Sequence, residues 1–169
     1  MPNTLVMGFG NIYRCDDGVA FHVVNALREK LERLPLAWED DGFDDLGHSV
    51  DTVILHQLVP EMAETISGYD RVIFVDAHVS QIEDPIRTET IDACYKEATV
   101  PHQLHPCSIL AMANELYGCA VEGLLVSIRG HDFDFGDQLS AQTASLVPQA
   151  TDCILAQITA ATNREDGET

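Results

Sequence analysis

The chain is poor in aromatic side chains, in positive charge and in long apolar runs, and each shortage narrows what it can do. Aromatic residues make up 7% of 169 residues, with a single tryptophan. A core must therefore come mainly from Val, Ile, Leu and Ala. Lys and Arg number 9 against 28 Asp and Glu, a formal net charge of −19. Nucleic acid and anionic membrane surfaces would be repelled by this balance, whereas a cation or a basic peptide would be attracted. No apolar run approaches the roughly 18 residues of a membrane span. Met1-Pro2-Asn3 leads at once into an apolar run with no basic segment ahead of it, so no signal peptide is expected. The five cysteines include no C-x-x-C pair and are odd in number. They suit a reducing cytoplasm and argue against a disulfide scaffold or a thiolate zinc site. Also missing are the H-E-x-x-H zinc helix, the G-x-S-x-G nucleophile elbow and the phosphate-binding P-loop.

What is present is an alternation of strand-like and helix-like segments. Residues 4–7 form an apolar run that ends in Gly8-Phe9-Gly10-Asn11, a strand entering a turn. Val19, Val23, Ala26, Leu27 and Leu31 recur at three- and four-residue spacing and predict a helix over 18–33, closed by Pro35. A short strand is expected around Ala37-Trp38 in an otherwise acidic loop, then a strand over 52–56. A helix begins near Pro60 and closes at Gly68. Residues 71–76 are nearly continuously apolar, as a parallel strand covered on both faces should be, and are expected at the centre of the sheet. Residues 86–91 read as an edge strand, 106–117 as a helix ended by Gly118, and 121–128 as a further strand. A long helix opens at Leu139-Ser140, with Pro148 marking a late start or a kink. This order predicts one α/β domain over 1–162, a doubly wound, mainly parallel sheet in a three-layer arrangement between helices. An acidic disordered tail is expected over 163–169.

Ligands of open α/β sheets bind beyond the carboxyl ends of the strands. That rule selects Asp16 and Asp17 after the first strand, His56 after the second and Asp76 after the third. His102 and His105 then precede a helix. Nitrogen and oxygen donors of this kind suit a divalent first-row metal such as nickel or zinc. Each residue also has a structural reading. Asp16 and Asp17 stand where an N-cap belongs, His56 where a strand-end imidazole bonds backbone, and Asp76 where a carboxylate takes turn amides. His102 and His105 suit a helix start, His22 falls inside the first helix, and no role is assigned to His48 or His131. The Gly8-x-Gly10 turn opens like a dinucleotide fingerprint, but Tyr13 stands where the third glycine is needed for close helix–strand packing. No cofactor-binding residues are assigned.

The segment from Gly8-Phe9-Gly10-Asn11 through Asp16-Asp17-Gly18-Val19-Ala20 resembles the opening motif of the hydrogenase maturation endopeptidases. In that family the motif runs G-x-G-N, four variable residues, D, then D or E, then G-x-G. Ala20 replaces the last glycine, a departure expected only to tighten the helix entry. Residues 72–77 resemble the family's apolar strand ending in D-A, Pro101-His102-Gln103-Leu104 its histidine loop, and Leu139-Ser140 the opening of its last helix. The matches span about residues 4–160. The resemblance implies a twisted, mainly parallel five-stranded sheet. It also implies an endopeptidase that removes the C-terminal extension of a NiFe-hydrogenase large-subunit precursor, acting as a monomer.

The family's metal-binding positions fall on Asp17, which is also the implied catalytic carboxylate, and on His102. The second position departs from the pattern. His56, in His56-Gln57-Leu58 followed by Pro60-Glu61, stands where many members carry Asp, as in a branch with His-Gln-Leu there. Glu61 is the reserve ligand. The implied metal is nickel, brought by the precursor. Two other classes are a non-catalytic nickel-binding or chaperone module and a nucleotide-binding protein that uses the Gly8–Gly10 turn.

Overall fold

The computed structural model describes residues 3–79, 81–96 and 104–165. Five strands form one sheet: β1 (Thr4–Phe9), β2 (Val50–Leu55), β3 (Arg71–His78), β4 (Ile86–Ile91) and β5 (Glu122–Arg129). Four α-helices intervene: α1 (Val19–Lys30), α2 (Met62–Ile66), α3 (Pro106–Tyr117) and α4 (Ala141–Glu165). The strand order is β2-β1-β3-β5-β4. All neighbours are parallel except β4 and β5. The apolar run at 71–76 is central, as its continuity predicts. The exposed, charge-bearing β4 closes the edge, where Arg87 and Glu89 blunt pairing with another chain.

Successive residues of the inner strands face opposite layers, as the two-residue strand period requires. Val6, Ile73 and Val75 pack with Val23 and Leu27 of α1 and Ile154 of α4. Leu5, Met7, Val72 and Phe74 pack with Ile66 of α2 and Ile109 and Ala113 of α3. Each fully buried side chain of this size contributes about 1.5–3 kcal/mol against exposure. The three-layer α/β/α architecture is thus two apolar layers sharing one sheet.

Strand order reverses at β1. The chain leaves it for β2 on one side and returns to β3 on the other, which opens a crevice at the carboxyl ends of β1 and β3. Register fixes what surrounds it. Gly8 is level with Val75, and Phe9 with Leu55. Asp76 and His56 therefore leave the aligned segments on either side of the Gly10 turn.

Several sequence expectations are corrected. No strand forms at Ala37-Trp38, because the Asn25 amide takes both backbone groups of Leu36, accepting from its N–H at 2.8 Å and donating to its carbonyl at 3.2 Å. Helix α1 stops at Lys30, not Arg33. Glu32 adopts a left-handed φ of 57°, and the Arg33 N–H reaches back to the Arg28 carbonyl at 2.8 Å, a Schellman closure ahead of Pro35. Helix α4 opens at Ala141, carries Pro148 inside it, and continues through Glu165, so residues 163–165 extend the helix. Cys94 and Cys107 form a disulfide, against the expectation from their odd number. The chain after β4 lies along the start of α3, where the Cys94 N–H donates to the Cys107 carbonyl at 3.1 Å. Cys15, Cys119 and Cys153 are free thiols.

Candidate functional site

The site is built on the turn between β1 and α1. Gly10 has φ of 148°, and a Cβ there would lie 2.0 Å from the Asp17 carbonyl oxygen. Only glycine lets the turn fold back this closely. The same fold-back brings the Asp17 side chain over the turn, and its Oδ2 accepts the Asn11 N–H at 2.8 Å. Asn11 in turn accepts the Tyr13 N–H at 2.9 Å. Ala20 is buried with its methyl against the space beside Gly8, which is why the departure from glycine is tolerated.

Asp16 does something other than begin its own helix. Its carboxylate is fully buried and anchors Ser140 and Thr143, at the start of α4, from across the molecule. It accepts the Ser140 N–H at 2.8 Å and hydroxyl at 2.7 Å, the Thr143 hydroxyl at 2.9 Å, and the N–H groups of His131 at 2.7 Å and Asp132 at 2.9 Å. Burial alone would raise this carboxyl, but the His131 amide and Ser140 hydroxyl, with the other donors, hold it below the usual carboxylate range. The loop after β5 is also tied to the turn by backbone bonds: Cys15 N–H to Gly136 O at 2.9 Å, Gly136 N–H to Tyr13 O at 2.9 Å, and Asp16 N–H to Asp132 O at 2.9 Å. Asp16 therefore fastens the turn that presents Asp17.

Asp17 is half-buried, and its Oδ1 takes no hydrogen bond from the described residues. Asp76 stands across the crevice, two residues before the end of β3. Burial pushes its carboxyl up to about 8, and the negative charge of Asp17 adds to the rise, against the pull of the Ala77 N–H at 2.8 Å. At neutral pH Asp76 thus favours its neutral acid form. Sequence reasoning left Asp76 outside the ligand set. The signal was there, since it closes the apolar run of β3 beside the reversal of strand order.

His56 is exposed just beyond β2, with its ring stacked on Tyr13 at 6.2 Å between centroids and 24° between planes. It lines the same cleft as Gly10, one strand away from the crevice. Glu61 is exposed at the start of α2. His102 lies outside the described residues. Among the described residues, no group of three or more His, Cys, Asp and Glu is gathered to hold a metal ion. The structure thus brings Asp17 to Asp76 and sets His56 at the adjoining strand end.

Three of the remaining histidines have structural partners. His105 is the N-cap of α3, its Nδ1 accepting the Cys107 N–H at 3.1 Å, and burial lowers its pKa. The His78 ring lies 2.8 Å from both the Ser127 hydroxyl and the Asp84 carbonyl. Burial likewise lowers His22, which packs edge-on against Phe21.

No helix among the described residues is long and apolar enough to cross a membrane. No family model and no curated protein matches the chain's sequence. Solved structures do match its fold. The hydrogenase maturating endopeptidase HybD of E. coli superposes with a TM-score of 0.71 at 22% identity, over 98% of this chain and 94% of that one. The solution structure of an endopeptidase from Escherichia coli gives 0.67 at 20% identity, over 98% and 94%. The [NiFe] hydrogenase maturation protease HycI of Thermococcus kodakarensis gives 0.63 at 18%, over 93% and 92%. Over nearly its whole length, this chain has the fold of the solved hydrogenase maturation endopeptidases.

Proposed function

We propose that the chain is an endopeptidase of hydrogenase maturation, which removes the C-terminal extension of a NiFe-hydrogenase large-subunit precursor after nickel insertion. The observation that carries this reading is the half-buried Asp17 carboxylate. It is fixed at the reversal of strand order by Gly10 and the Asn11 N–H, and its second oxygen takes no hydrogen bond from the described residues. The fold shared with proteins named as hydrogenase maturation proteases supports it.

In this reading nickel arrives as part of the substrate. Asp17 supplies an oxygen donor and His56 a nitrogen donor, with His102 as the third ligand and Glu61 as the alternative to His56. Such mixed donors suit a divalent nickel ion. Docking of the metal places the scissile bond beside it, where the metal polarises the carbonyl or activates a water and Asp17 accepts a proton. Burial raises the Asp76 carboxyl beside Asp17, which limits the negative charge in the crevice.

The test is incubation of the purified chain with nickel-loaded and nickel-free precursor, with the large-subunit mass read by mass spectrometry. Shortening of the loaded precursor alone is expected. Binding of loaded precursor without shortening would instead identify a non-catalytic nickel-binding module.

A further inference from the structure

The chain after β4 carries a feature that the metal reading does not use. Cys94 and Cys107 are joined by a disulfide across a sequence separation of 13, with their Cα atoms 5.0 Å apart. The bond fastens a short strap, residues 92–96, to the first turn of α3. Three hydrogen bonds accompany it. The Cys94 N–H donates to the Cys107 carbonyl at 3.1 Å, the Lys96 N–H to the Ser108 hydroxyl at 3.3 Å, and the Tyr95 hydroxyl to the Glu115 carboxylate. Asp92, Ala93, Tyr95 and Lys96 are exposed, so the strap buries little apolar surface of its own. The disulfide is its main hold. Its two sulfurs differ in access. Cys107 is 2% exposed and packs in the apolar layer with Ile109 and Leu110, whereas Cys94 is half-buried.

We propose that Cys94 and Cys107 are a reversible thiol–disulfide switch that fastens and releases this strap, with a dithiol of the thioredoxin class as reductant. The placement suits exchange. The thiolate of the reductant bonds to Cys94 Sγ, the more accessible sulfur, the Cys94–Cys107 bond breaks, and its electron pair leaves on Cys107 Sγ. Cys107 is the second residue of α3, so this thiolate forms in the first turn, where the helix dipole favours negative charge. Burial then favours its protonation. The second thiol of the reductant attacks the mixed disulfide, expels Cys94 as a thiolate that is protonated in turn, and departs as an internal disulfide. Two electrons and two protons have passed to the protein. Reduction leaves the strap on three hydrogen bonds of modest net worth. In sequence the pair brackets His102, the third nickel ligand of the proposed function. With the strap released, ordering that stretch as substrate docks costs more, so processing should slow. This consequence rests on the endopeptidase reading; the exchange chemistry does not.

The folded chain is treated with dithiothreitol or with glutathione disulfide, desalted, denatured and alkylated with iodoacetamide, and the labels are counted by mass spectrometry. Three labelled cysteines are expected in the oxidised chain and five in the reduced one. Glutathione disulfide should bring the reduced chain back to three. Amide hydrogen exchange over residues 92–96 should quicken about tenfold or more on reduction. The thermal midpoint should fall by about 5–10 °C. The double variant Cys94→Ser with Cys107→Ser should match the reduced chain in both measurements and ignore both reagents. Shortening of nickel-loaded precursor by the desalted reduced chain, and by the double variant, should be about threefold slower than by the oxidised chain. Five labels in the oxidised chain, a bond that opens only in denaturant, or equal exchange over 92–96 in the two forms overturns the switch. Equal processing rates in the two forms overturn its regulatory role. Thiol counts and exchange as expected, with no shortening by either form, would sink the endopeptidase reading alone.

Discussion

Asp16 and Asp17 are neighbours of identical chemistry, but one is buried under five donors and the other half-buried with one, so under the proposed function replacing each with alanine should separate stability from activity. Asp16 is fully buried and accepts three backbone N–H groups and two hydroxyls. Its removal orphans the His131, Asp132 and Ser140 amides and the Ser140 hydroxyl, while the Thr143 hydroxyl keeps the Arg129 carbonyl at 2.9 Å. Each unmet buried donor costs about 1–3 kcal/mol. His131 and Asp132 are exposed and Ser140 half-buried, so entering water recovers a good part of this, and Asp16→Ala should cost about 3–5 kcal/mol, a large share of a domain's roughly 5–15 kcal/mol. With a urea m-value of about 2 kcal/mol/M, the midpoint should fall by about 2 M. Asp16→Asn should fall nearly as far, because an amide nitrogen turned toward those donors repels them. The loss should also depend on pH. The folded-state pKa of Asp16 is lowered, so its stabilisation is present above the unfolded value of about 3.9 and fades as pH falls through the folded value. Wild type and Asp16→Ala should therefore converge in acid. A midpoint drop below about 0.5 M at pH 7, or an equal drop in Asp17→Ala, would refute the assignment of Asp16 as the fastening residue.

Asp17→Ala should leave the urea midpoint within about 0.5 M of wild type, because only the Asn11 N–H loses a partner, and yet should abolish precursor shortening. Between the two candidates for the second ligand, His56→Ala should stop processing while Glu61→Ala processes normally; the reverse pattern would transfer the role to Glu61. Asp76 keeps its proton up to about 8 when folded but only to about 3.9 when unfolded, so the folded chain binds the extra proton between those values and loses stability as pH rises across them. Asp76→Asn should flatten that slope and raise stability at pH 8 by on the order of 2 kcal/mol, after allowance for the carboxyl's partial exposure, as read from urea midpoints at pH 5 and pH 8.

Where side-chain pattern and backbone demand point the same way, the fold can be read from residues alone. The continuous apolar run at 71–76 could only be a covered strand, and the alternation in 86–91 announced an edge. Pro106 and Gly118 bracket α3 because proline suits a first turn and glycine a left-handed end, here with φ of 67°. Ala37-Trp38 misled for a physical reason. Two apolar residues in an acidic stretch resemble a strand, but the backbone pairing that would begin one at Leu36 is taken by Asn25 of α1. The Cys94–Cys107 link was hidden because it depends on the return of the chain after β4 alongside α3, a tertiary event with no local signature. The site was half legible. Gly10, Asp17, His56 and Asp76 follow from strand ends, whereas the nearness of Asp76 to Asp17 and the Tyr13–Trp38 packing depend on strand order and loop packing.

The arrangement also explains why the acidic turn is so heavily anchored while the other donors are not. Asp17 sits on a turn held by Asp16, by the Gly10–Asp17 close approach and by the backbone bonds to residues 132–136. His56 is held, among the described residues, by its stack on Tyr13, and Glu61 is open to solvent. A resident metal site needs all its donors fixed together, since affinity comes from ligands already in place. One rigid carboxylate with an exposed imidazole beside it suits a metal that comes with donors of its own, as nickel held by a precursor would. In that case the rigid member sets where the peptide bond lies, and the exposed member closes onto the metal as the substrate docks. A protease built this way has little means of cutting a tail that brings no metal, which is the behaviour a maturation step requires if processing is to follow metal insertion rather than precede it. The nickel-free precursor is then the decisive substrate. Left intact by an enzyme that trims the loaded form, it supports gating by the metal; cut at a comparable rate, it shows that the polypeptide alone directs the cleavage and that Asp17 and His56 serve the peptide rather than nickel.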